Sequence, residues 1–214
     1  SFFRMFYNKF TAYRARLERL YGFLLSTEEK HTARQPDLTE VSDGLILENV
    51  ALYRHNGEVL LDGININLKS GNSLLIRGPS GCGKTSLLRA LAGLWPFGSS
   101  GKVGHPPLQD ILFLPQRPYT AQGSLRDAIC YPNIDKQHPE LIEAMNTCRL
   151  GYLVDKLDKP DDWQHKLSPG ELQRVAFVRA LLSQPKVILL DEATAALDEP
   201  TEAMLYRALK QKLP

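Results

Sequence analysis

An eight-residue segment in the first half of the chain has the residue types and spacing of a phosphate-binding loop. Its residues follow the pattern G-x-x-x-x-G-K-[ST], and they are Gly78, Pro79, Ser80, Gly81, Cys82, Gly83, Lys84 and Thr85. The glycines allow successive backbone N–H groups to face phosphate oxygens, and a helix beginning near Lys84 adds its positive end. We expect Lys84 to reach the β- and γ-phosphates of a nucleotide, the Thr85 hydroxyl to bind Mg²⁺, and Ser86 to bond the α-phosphate.

A second candidate segment is an apolar run that ends in two acids, and its residues are Val187, Ile188, Leu189, Leu190, Asp191 and Glu192. Asp191, at the carboxyl end of the predicted strand, is expected to hold the Mg²⁺ shell, and Glu192 to polarise the attacking water. One acid suits many phosphate-loop proteins, whereas separate acids for metal and water favour a hydrolase. The alternatives are a chance glycine-rich turn and a strand that merely ends in solvated acids. Both alternatives are disfavoured because each segment is flanked by the predicted strand or helix that nucleotide binding requires.

Between these segments lies the sequence LSPGELQR, which predicts the start of a helix. Ser168 is its N-cap, Pro169 takes the first helical position, and Glu171 closes a capping box. The sequence also resembles the LSGGQ signature of ATP-binding cassette (ABC) ATPases, whose serine and helix start bind the γ-phosphate of ATP held by a partner subunit. The resemblance implies that Ser168, Gly170 and Glu171 bind nucleotide. Pro169 replaces a glycine and lacks an N–H, and Glu171 replaces a glutamine. Because Ser168 and the Gly170 amide remain, we expect the contact with the partner's nucleotide to survive in a weakened form.

Three further positions fit the same family. Gln116, within PQRP, resembles the Q-loop glutamine that senses Mg²⁺ and contacts the membrane domain. Asp198, which ends the segment AALD, resembles the D-loop residue at the dimer interface. Tyr53 is placed like the aromatic residue that stacks on adenine, although an aromatic side chain in an alternating strand is alternatively a core residue.

Shorter segments narrow the resemblance to subfamily D of the ABC transporters. They are GLWP after the first predicted helix, PQRPY followed by GSLRD, and Trp163 ahead of the signature. That subfamily includes peroxisomal fatty-acyl and lysosomal cobalamin transporters, together with bacterial relatives of the SbmA/BacA type. The LSPGE variant is similar to the cobalamin-linked branch, whereas the N-terminal stretch looks more like the bacterial members.

The resemblance covers about residues 45–214 and implies the nucleotide-binding domain of an ABC transporter. Such a domain hydrolyses ATP with Mg²⁺ to power solute transport, which makes it part of a translocase. The implied partners are a second copy, arranged head to tail around ATP, and the transmembrane domain of the same transporter. The implied location is the cytoplasmic face of a membrane, with the bacterial inner membrane favoured over a peroxisomal or lysosomal one.

Two other function classes are compatible with an ABC ATPase. A soluble member acting on DNA or ribosomes is disfavoured because no heptad block lies between Lys84 and Asp191. The net charge of +2 also lacks the basic excess of nucleic-acid-binding proteins, so we expect no nucleic-acid partner. An ATP-gated interaction module that does not hydrolyse ATP is disfavoured by Glu192 for the parent protein, whereas the lack of a histidine after Glu192 leaves this alternative open for this sequence.

The composition is that of an ordinary globular domain, with 43% hydrophobic and 23% charged residues in 214. The three cysteines, Cys82, Cys130 and Cys148, are scattered and form no CxxC pair, which favours a reducing compartment. The sequence has neither a signal-peptide pattern nor an uninterrupted apolar run of about 18 residues.

The hydrophobic patterns predict an α/β fold with a P-loop core and a mostly parallel sheet. An antiparallel β subdomain is expected near residues 45–70, and a helical subdomain near 124–183. The predicted strands cover residues 45–53, 59–69, 73–77, 111–114 and 187–191. The predicted helices cover residues 84–94, 124–130, 138–148, 168–183 and 201–212.

The two ends of the sequence give separate expectations. Residues 1–25 predict an amphipathic helix that either packs on its own domain or, as we favour, continues the last transmembrane helix. Residues 26–43 predict a linker to an ABC-type domain at 44–214. All five histidines precede Glu192, so none occupies the place of the family's switch histidine. We therefore expect a C-terminally incomplete domain with slow turnover.

Overall fold

The computed structural model describes residues 36–42, 44–132 and 134–213 as a mixed α/β fold, which confirms the predicted fold class. Within these ranges the strands are β1 (Asp37–Glu40), β2 (Leu45–Tyr53), β3 (Val59–Leu68), β4 (Ser99–His105), β5 (Ile111–Leu114), β6 (Gly123–Ser124), β7 (Pro160–Asp161) and β8 (Val187–Leu190). The helices are α1 (Lys84–Leu91), α2 (Leu125–Cys130), α3 (Leu141–Thr147), α4 (Trp163–Lys166), α5 (Pro169–Ser183) and α6 (Glu199–Lys212).

A four-stranded sheet in the order β1-β4-β2-β3 forms the β subdomain. Strand β2 is antiparallel to both β3 and β4, which confirms the antiparallel β subdomain predicted near residues 45–70, and β2 and β3 form a hairpin. Its turn is closed by the Arg54 amide, which donates to the Glu58 carbonyl at 2.8 Å. Alternation at the start of β2 buries Leu45 and Leu47, and Leu52 is buried beyond a shift in register, so all three enter a core with Leu87 and Leu91 of α1.

Strand β1 corrects the prediction that residues 26–43 are only a linker. Its four residues, DLTE, are all exposed, and the strand pairs in parallel with β4. An edge strand held mainly by backbone hydrogen bonds needs no apolar alternation, so its sequence does not predict it. The prediction of a helix over residues 1–25, like the rest of the linker up to residue 35, lies outside the described residues.

The two predicted core strands β5 and β8 pair in parallel, with Leu114 opposite Leu190. The pairing continues one step further, because the Asp191 amide donates to the Leu114 carbonyl at 3.0 Å. Both strands therefore end at the same edge of the sheet, which brings the segments after Leu114 and Leu190 together.

The predicted strand at residues 73–77 is not formed. Leu74 and Leu75 are 50% and 71% exposed, whereas a core strand buries such side chains. The sequence prediction fails here because an apolar run can pair as a strand only beside a neighbour, and none of the described strands pairs with it.

Helices α2 to α5 form the predicted helical subdomain around a core of fully buried side chains, among them Ile129, Met145, Val175, Phe177 and Val178. Helix α1 ends at Leu91, earlier than predicted, because the Leu94 amide folds back to the Arg89 carbonyl at 2.7 Å. Across the described ranges, the helices are too short or too polar to span a bilayer.

Candidate nucleotide-binding site

The phosphate-loop segment leads directly into α1 through Gly83. Gly83 is the N-cap of α1 with a φ of 101°, a left-handed conformation that glycine adopts without steric cost. A Cβ on this residue would lie 3.1 Å from the Leu61 side chain. No side chain caps the helix start, so its backbone N–H groups are free of a side-chain acceptor. The local backbone is therefore suited to an anion at the N-terminus of α1.

The Lys84 ammonium group lies over the same loop. Its Nζ donates to the carbonyl oxygens of Gly78 at 2.8 Å and Pro79 at 2.9 Å. Two carbonyl oxygens hold the ammonium in place without neutralising it, because they carry no formal charge. The loop therefore presents a positive charge beside the N–H groups of α1.

Thr85 and Asp191 meet although they are far apart in sequence. The Thr85 hydroxyl donates to Asp191 Oδ1 at 2.8 Å. A hydroxyl and a carboxylate are hard oxygen ligands, and Mg²⁺ in nucleotide sites commonly takes few protein ligands and completes its shell with phosphate and water. The described residues contain no cluster of three or more His, Cys, Asp or Glu side chains for a metal. The pair thus fits a nucleotide-bound Mg²⁺ better than a metal held by protein ligands alone.

Gln116 and Glu192 also meet, at the edge where β5 and β8 end. Gln116 Nε2 donates to Glu192 Oε2 at 2.9 Å. Glu192 has a φ of 51°, which is uncommon for a residue with a side chain and recurs at functional sites. We call Lys84, Thr85, Gln116, Asp191 and Glu192 the loop cluster.

The start of α5 has the predicted capping box. The Ser168 hydroxyl accepts from the Glu171 amide at 3.3 Å, and the Ser168 amide donates to Glu171 Oε2 at 2.7 Å. Partial burial opposes ionisation of Glu171, but hydrogen bonds from Tyr152 and Ser168 outweigh it, so the pKa of this carboxyl lies below its ordinary value. The carboxylate is therefore engaged by the helix cap.

A cavity of about 460 Å³ opens at this helix start. Its lining includes Ser168, Gly170 and Asp198, which we call the helix-start cluster, and two arginines, Arg149 and Arg174. None of the loop-cluster residues lines it. The structure therefore brings the sequence-predicted site residues together in two separate groups. Lys84 carries a positive charge within the first group, and Arg149 and Arg174 carry positive charges beside the second.

The sequence model of the ABC transporter family matches residues 61–195, which include the loop cluster and the start of α5. The chain belongs to this family.

Individual relatives agree with that assignment. An uncharacterized ABC transporter ATP-binding protein of Haemophilus influenzae is 52% identical over 100% of this chain and 36% of its own length. ATP-binding cassette sub-family D member 3 of Homo sapiens is 36% identical over 78% of the chain and 27% of its own length. The predicted resemblance to subfamily D is confirmed. This ABC domain spans about a third or less of the length of the curated relatives it matches.

Among solved structures, a bacterial Atm1-family ABC exporter with ATP bound aligns with a TM-score of 0.68 and 23% identity. The alignment covers 82% of this ABC domain and 35% of the exporter chain. At this identity the likeness bears on the fold alone.

Tyr53 lies outside both clusters. It is half-buried at the end of β2, and its hydroxyl lies 3.1 Å from the Ser100 hydroxyl oxygen. The indole Nε1 of Trp95 donates to the Tyr53 carbonyl at 3.1 Å, so a second aromatic ring lies nearby. Adenine stacking on Tyr53 in this ABC domain stays a prediction.

Two polar residues of the ABC domain were missed by the sequence analysis. Arg149 reaches the helix-start cavity from a turn with a φ of 55°, and nothing in its local sequence marks it. Gln173 stands inside the motif LSPGELQR, which gave a signal for its importance but not for its role.

Proposed function

We propose that this ABC domain binds ATP with Mg²⁺, hydrolyses it, and thereby powers solute transport through a membrane domain. The observation that carries the proposal is the convergence of the loop cluster. Lys84, the Thr85–Asp191 pair and the Gln116–Glu192 pair come from three distant parts of the sequence and supply the three functions that phosphoryl transfer requires.

Each member of the loop cluster has a distinct proposed role. Lys84 and the backbone N–H groups of the loop hold the phosphates, and Thr85 and Asp191 would hold Mg²⁺, which neutralises phosphate charge when bound. Glu192 accepts a hydrogen bond from the attacking water and orients it toward the γ-phosphorus. A bond forms between the water oxygen and that phosphorus while the bond to the β–γ bridging oxygen breaks, which releases ADP and inorganic phosphate. Gln116 fixes the direction of the Glu192 carboxylate.

The helix-start cluster is proposed to bind the nucleotide of a second copy. Its cavity lies apart from the loop cluster, so the two clusters of one chain do not contact the same bound nucleotide. Ser168 and Gly170 line that cavity beside Arg149 and Arg174, and the two guanidinium groups suit a polyphosphate. A head-to-tail pair of copies would place one helix-start cluster over each loop cluster.

A membrane domain is the second proposed partner. Close behind Gln116 in sequence, Tyr119 is 59% exposed and packs edge-to-face on Tyr131, which is 47% exposed. Exposed aromatic surface of this kind suits a protein contact. Because Gln116 also bonds Glu192, a contact here would link the membrane domain to hydrolysis. We place the domain at the cytoplasmic face of a membrane, favouring the bacterial inner membrane over a peroxisomal or lysosomal one.

The test is the ATP affinity of the 214-residue chain and of its Lys84→Ala variant, titrated with a fluorescent ATP analogue and Mg²⁺. Charge-assisted hydrogen bonds contribute roughly 1.5–3 kcal/mol, so we expect affinity to fall about ten- to hundredfold. The matched control is Lys102→Ala, which removes an exposed ion pair with Glu48 on the β subdomain and should leave affinity unchanged. An unaltered affinity in Lys84→Ala would overturn the proposal.

A further inference from the structure

Gln173 is a buried polar side chain on the helix that begins at the helix-start cluster. It is 2% exposed, and its neighbours Leu172, Val175 and Ala176 on α5 are buried apolar residues. Removing an amide from water costs free energy unless hydrogen bonds replace those to solvent. The two ends of this amide must therefore have partners inside the protein.

Both partners are backbone groups of the segments that follow β5 and β8. Gln173 Nε2 donates to the Gln116 carbonyl at 3.1 Å, and Gln173 Oε1 accepts from the Ala196 amide at 3.0 Å. A carbonyl can only accept and an N–H can only donate, so these two partners dictate the orientation of the side-chain amide. A side chain of this length with one donor and one acceptor satisfies both.

These bonds join the two site clusters. On one side, the Gln116 side chain donates to the Glu192 carboxylate at 2.9 Å. On the other side, Ala196 precedes Leu197 and Asp198, which line the helix-start cavity. Gln173 thus stands between the carboxylate proposed to orient water and the surface proposed to receive the partner's nucleotide.

We propose that Gln173 is a positioning residue that couples the helix-start cluster to Glu192 through the backbone of Gln116. The inference rests on the proposed function. When a second copy docks its nucleotide at Ser168 and Asp198, displacement of the 195–198 segment pulls on Gln173 Oε1. The rigid amide passes this displacement to the Gln116 backbone, and the Gln116 side chain then re-aims the Glu192 carboxylate.

The packing around Ala196 supports a stiff connection. A Cβ added to Gly170 would lie 2.9 Å from the Ala196 carbonyl oxygen, so the start of α5 lies directly against this segment. The Ala196 amide and carbonyl both face α5, one through Gln173 and the other through Gly170. We therefore expect this segment and the start of α5 to move together.

The experiment compares Gln173→Met and Gln173→Glu with the wild type in the full-length transporter proposed to carry this chain. Methionine keeps the length and the apolar contacts but removes both hydrogen bonds. We expect ATP affinity to change by less than about twofold, because the phosphate loop is untouched, while kcat falls about ten- to hundredfold from misplacement of Glu192. A structural role alone would lower the amount of folded protein without splitting kcat from KM in this way.

The glutamate variant adds a pH profile that a structural role does not predict. An ionised carboxylate still accepts from Ala196 but cannot donate to the Gln116 carbonyl, whereas a protonated carboxyl can do both. Burial raises the pKa of a carboxyl, so protonation should become substantial as pH is lowered from about 8 to about 6. We expect kcat of this variant, relative to wild type at the same pH, to recover over that interval.

Gln164→Met is the matched control. Gln164 Oε1 also accepts hydrogen bonds from a distant segment, at the Thr120 amide and hydroxyl, but it bonds neither Gln116 nor Glu192. The inference is overturned if Gln173→Met keeps wild-type kcat, or if Gln164→Met loses as much. Should the methionine variant not fold, the absence of low-pH recovery in Gln173→Glu overturns it. Equal ATP binding by wild type and Lys84→Ala would instead defeat the proposed function.

Discussion

The backbone conformation at Glu192 directs two adjacent carboxylates, those of Asp191 and Glu192, toward different partners. Asp191 extends the pairing of β8 with β5, because its amide donates a hydrogen bond to the Leu114 carbonyl of β5, whereas the next residue turns into a left-handed conformation with a φ of 51°. Such a conformation costs a non-glycine residue roughly 1–2 kcal/mol. The turn lets Asp191 meet Thr85 while Glu192 meets Gln116. Adjacent carboxylates thereby face different partners, as the proposed separation of metal and water roles requires.

Cys82 gives a chemical test of the phosphate loop. It is half-buried, with its Sγ 4.0 Å from Lys84 Nζ, and a Cβ on Gly78 would lie 2.8 Å from that sulfur. We expect maleimide to modify Cys82, to add bulk inside the loop and to abolish ATP binding. Bound ATP should protect the thiol.

Internal controls for this reaction are present in the chain. Cys130 and Cys148 are buried, and burial raises the pKa of both thiols, that of Cys148 to about 12, which keeps them protonated and unreactive. Intact-mass measurement should show one label per chain, and Cys82→Ser should bind ATP without sensitivity to maleimide. A fully labelled wild type with unaltered ATP affinity would contradict the prediction.

At the scale of elements, a strand or helix is predictable from the sequence when the interactions that form it are local in the chain. The antiparallel strands β2 and β3, the capped α5 and the strands β5 and β8 are predicted by the sequence because hydrophobic patterns and helix caps are local signals. Strand β4 was missed because SSGKVGH contains neither alternation nor an apolar run. It forms where Gly101 passes so close to β2 that a Cβ would lie 2.5 Å from the Asn49 carbonyl oxygen. The need for a glycine at position 101 comes from this tertiary contact, which the local sequence does not show.

Two capping boxes occur in the part of the chain that the structure describes, and comparing them separates helix stability from function. Ser168 caps α5 beside the helix-start cavity, whereas Ser124 caps α2 and pairs with Asp127 without lining that cavity. We expect Ser168→Ala and Ser124→Ala each to lower the free energy of unfolding by about 1 kcal/mol, measured by urea denaturation.

Only Ser168→Ala should in addition weaken ATP-dependent association of two copies, because its hydroxyl is proposed to reach the partner's γ-phosphate. Sedimentation of both variants with ATP and Mg²⁺ measures the fraction of chains that associate. Equal association of the two variants would show that Ser168 acts as a helix cap alone.

Considered as a whole molecule, the described part of the domain holds the predicted site residues in two separate groups, the loop cluster and the helix-start cluster. The sequence motifs predicted every member of the loop cluster, yet the meeting of Gln116 with Glu192 depends on the parallel register of β5 and β8. The sequence could not predict that Gln173 bonds the backbone of both Gln116 and Ala196, since these partners lie 57 and 23 residues away. Likewise the apolar run at residues 73–77 carries a strand signal, but pairing depends on a neighbour that the pattern does not specify.

Glu192→Gln tests the arrangement of two copies. The substitution preserves side-chain length and removes the carboxylate proposed to orient water, so ATP should persist at the site and hold the two copies together. We expect light scattering to show a monomer without nucleotide and twice that mass with ATP and Mg²⁺. Adding Lys84→Ala should abolish the dimer, because the loop would no longer retain the phosphates. In the full-length transporter, hydrolysis by Glu192→Gln at the wild-type rate would instead favour an ATP-gated binding module, since the carboxylate would then have no role in turnover.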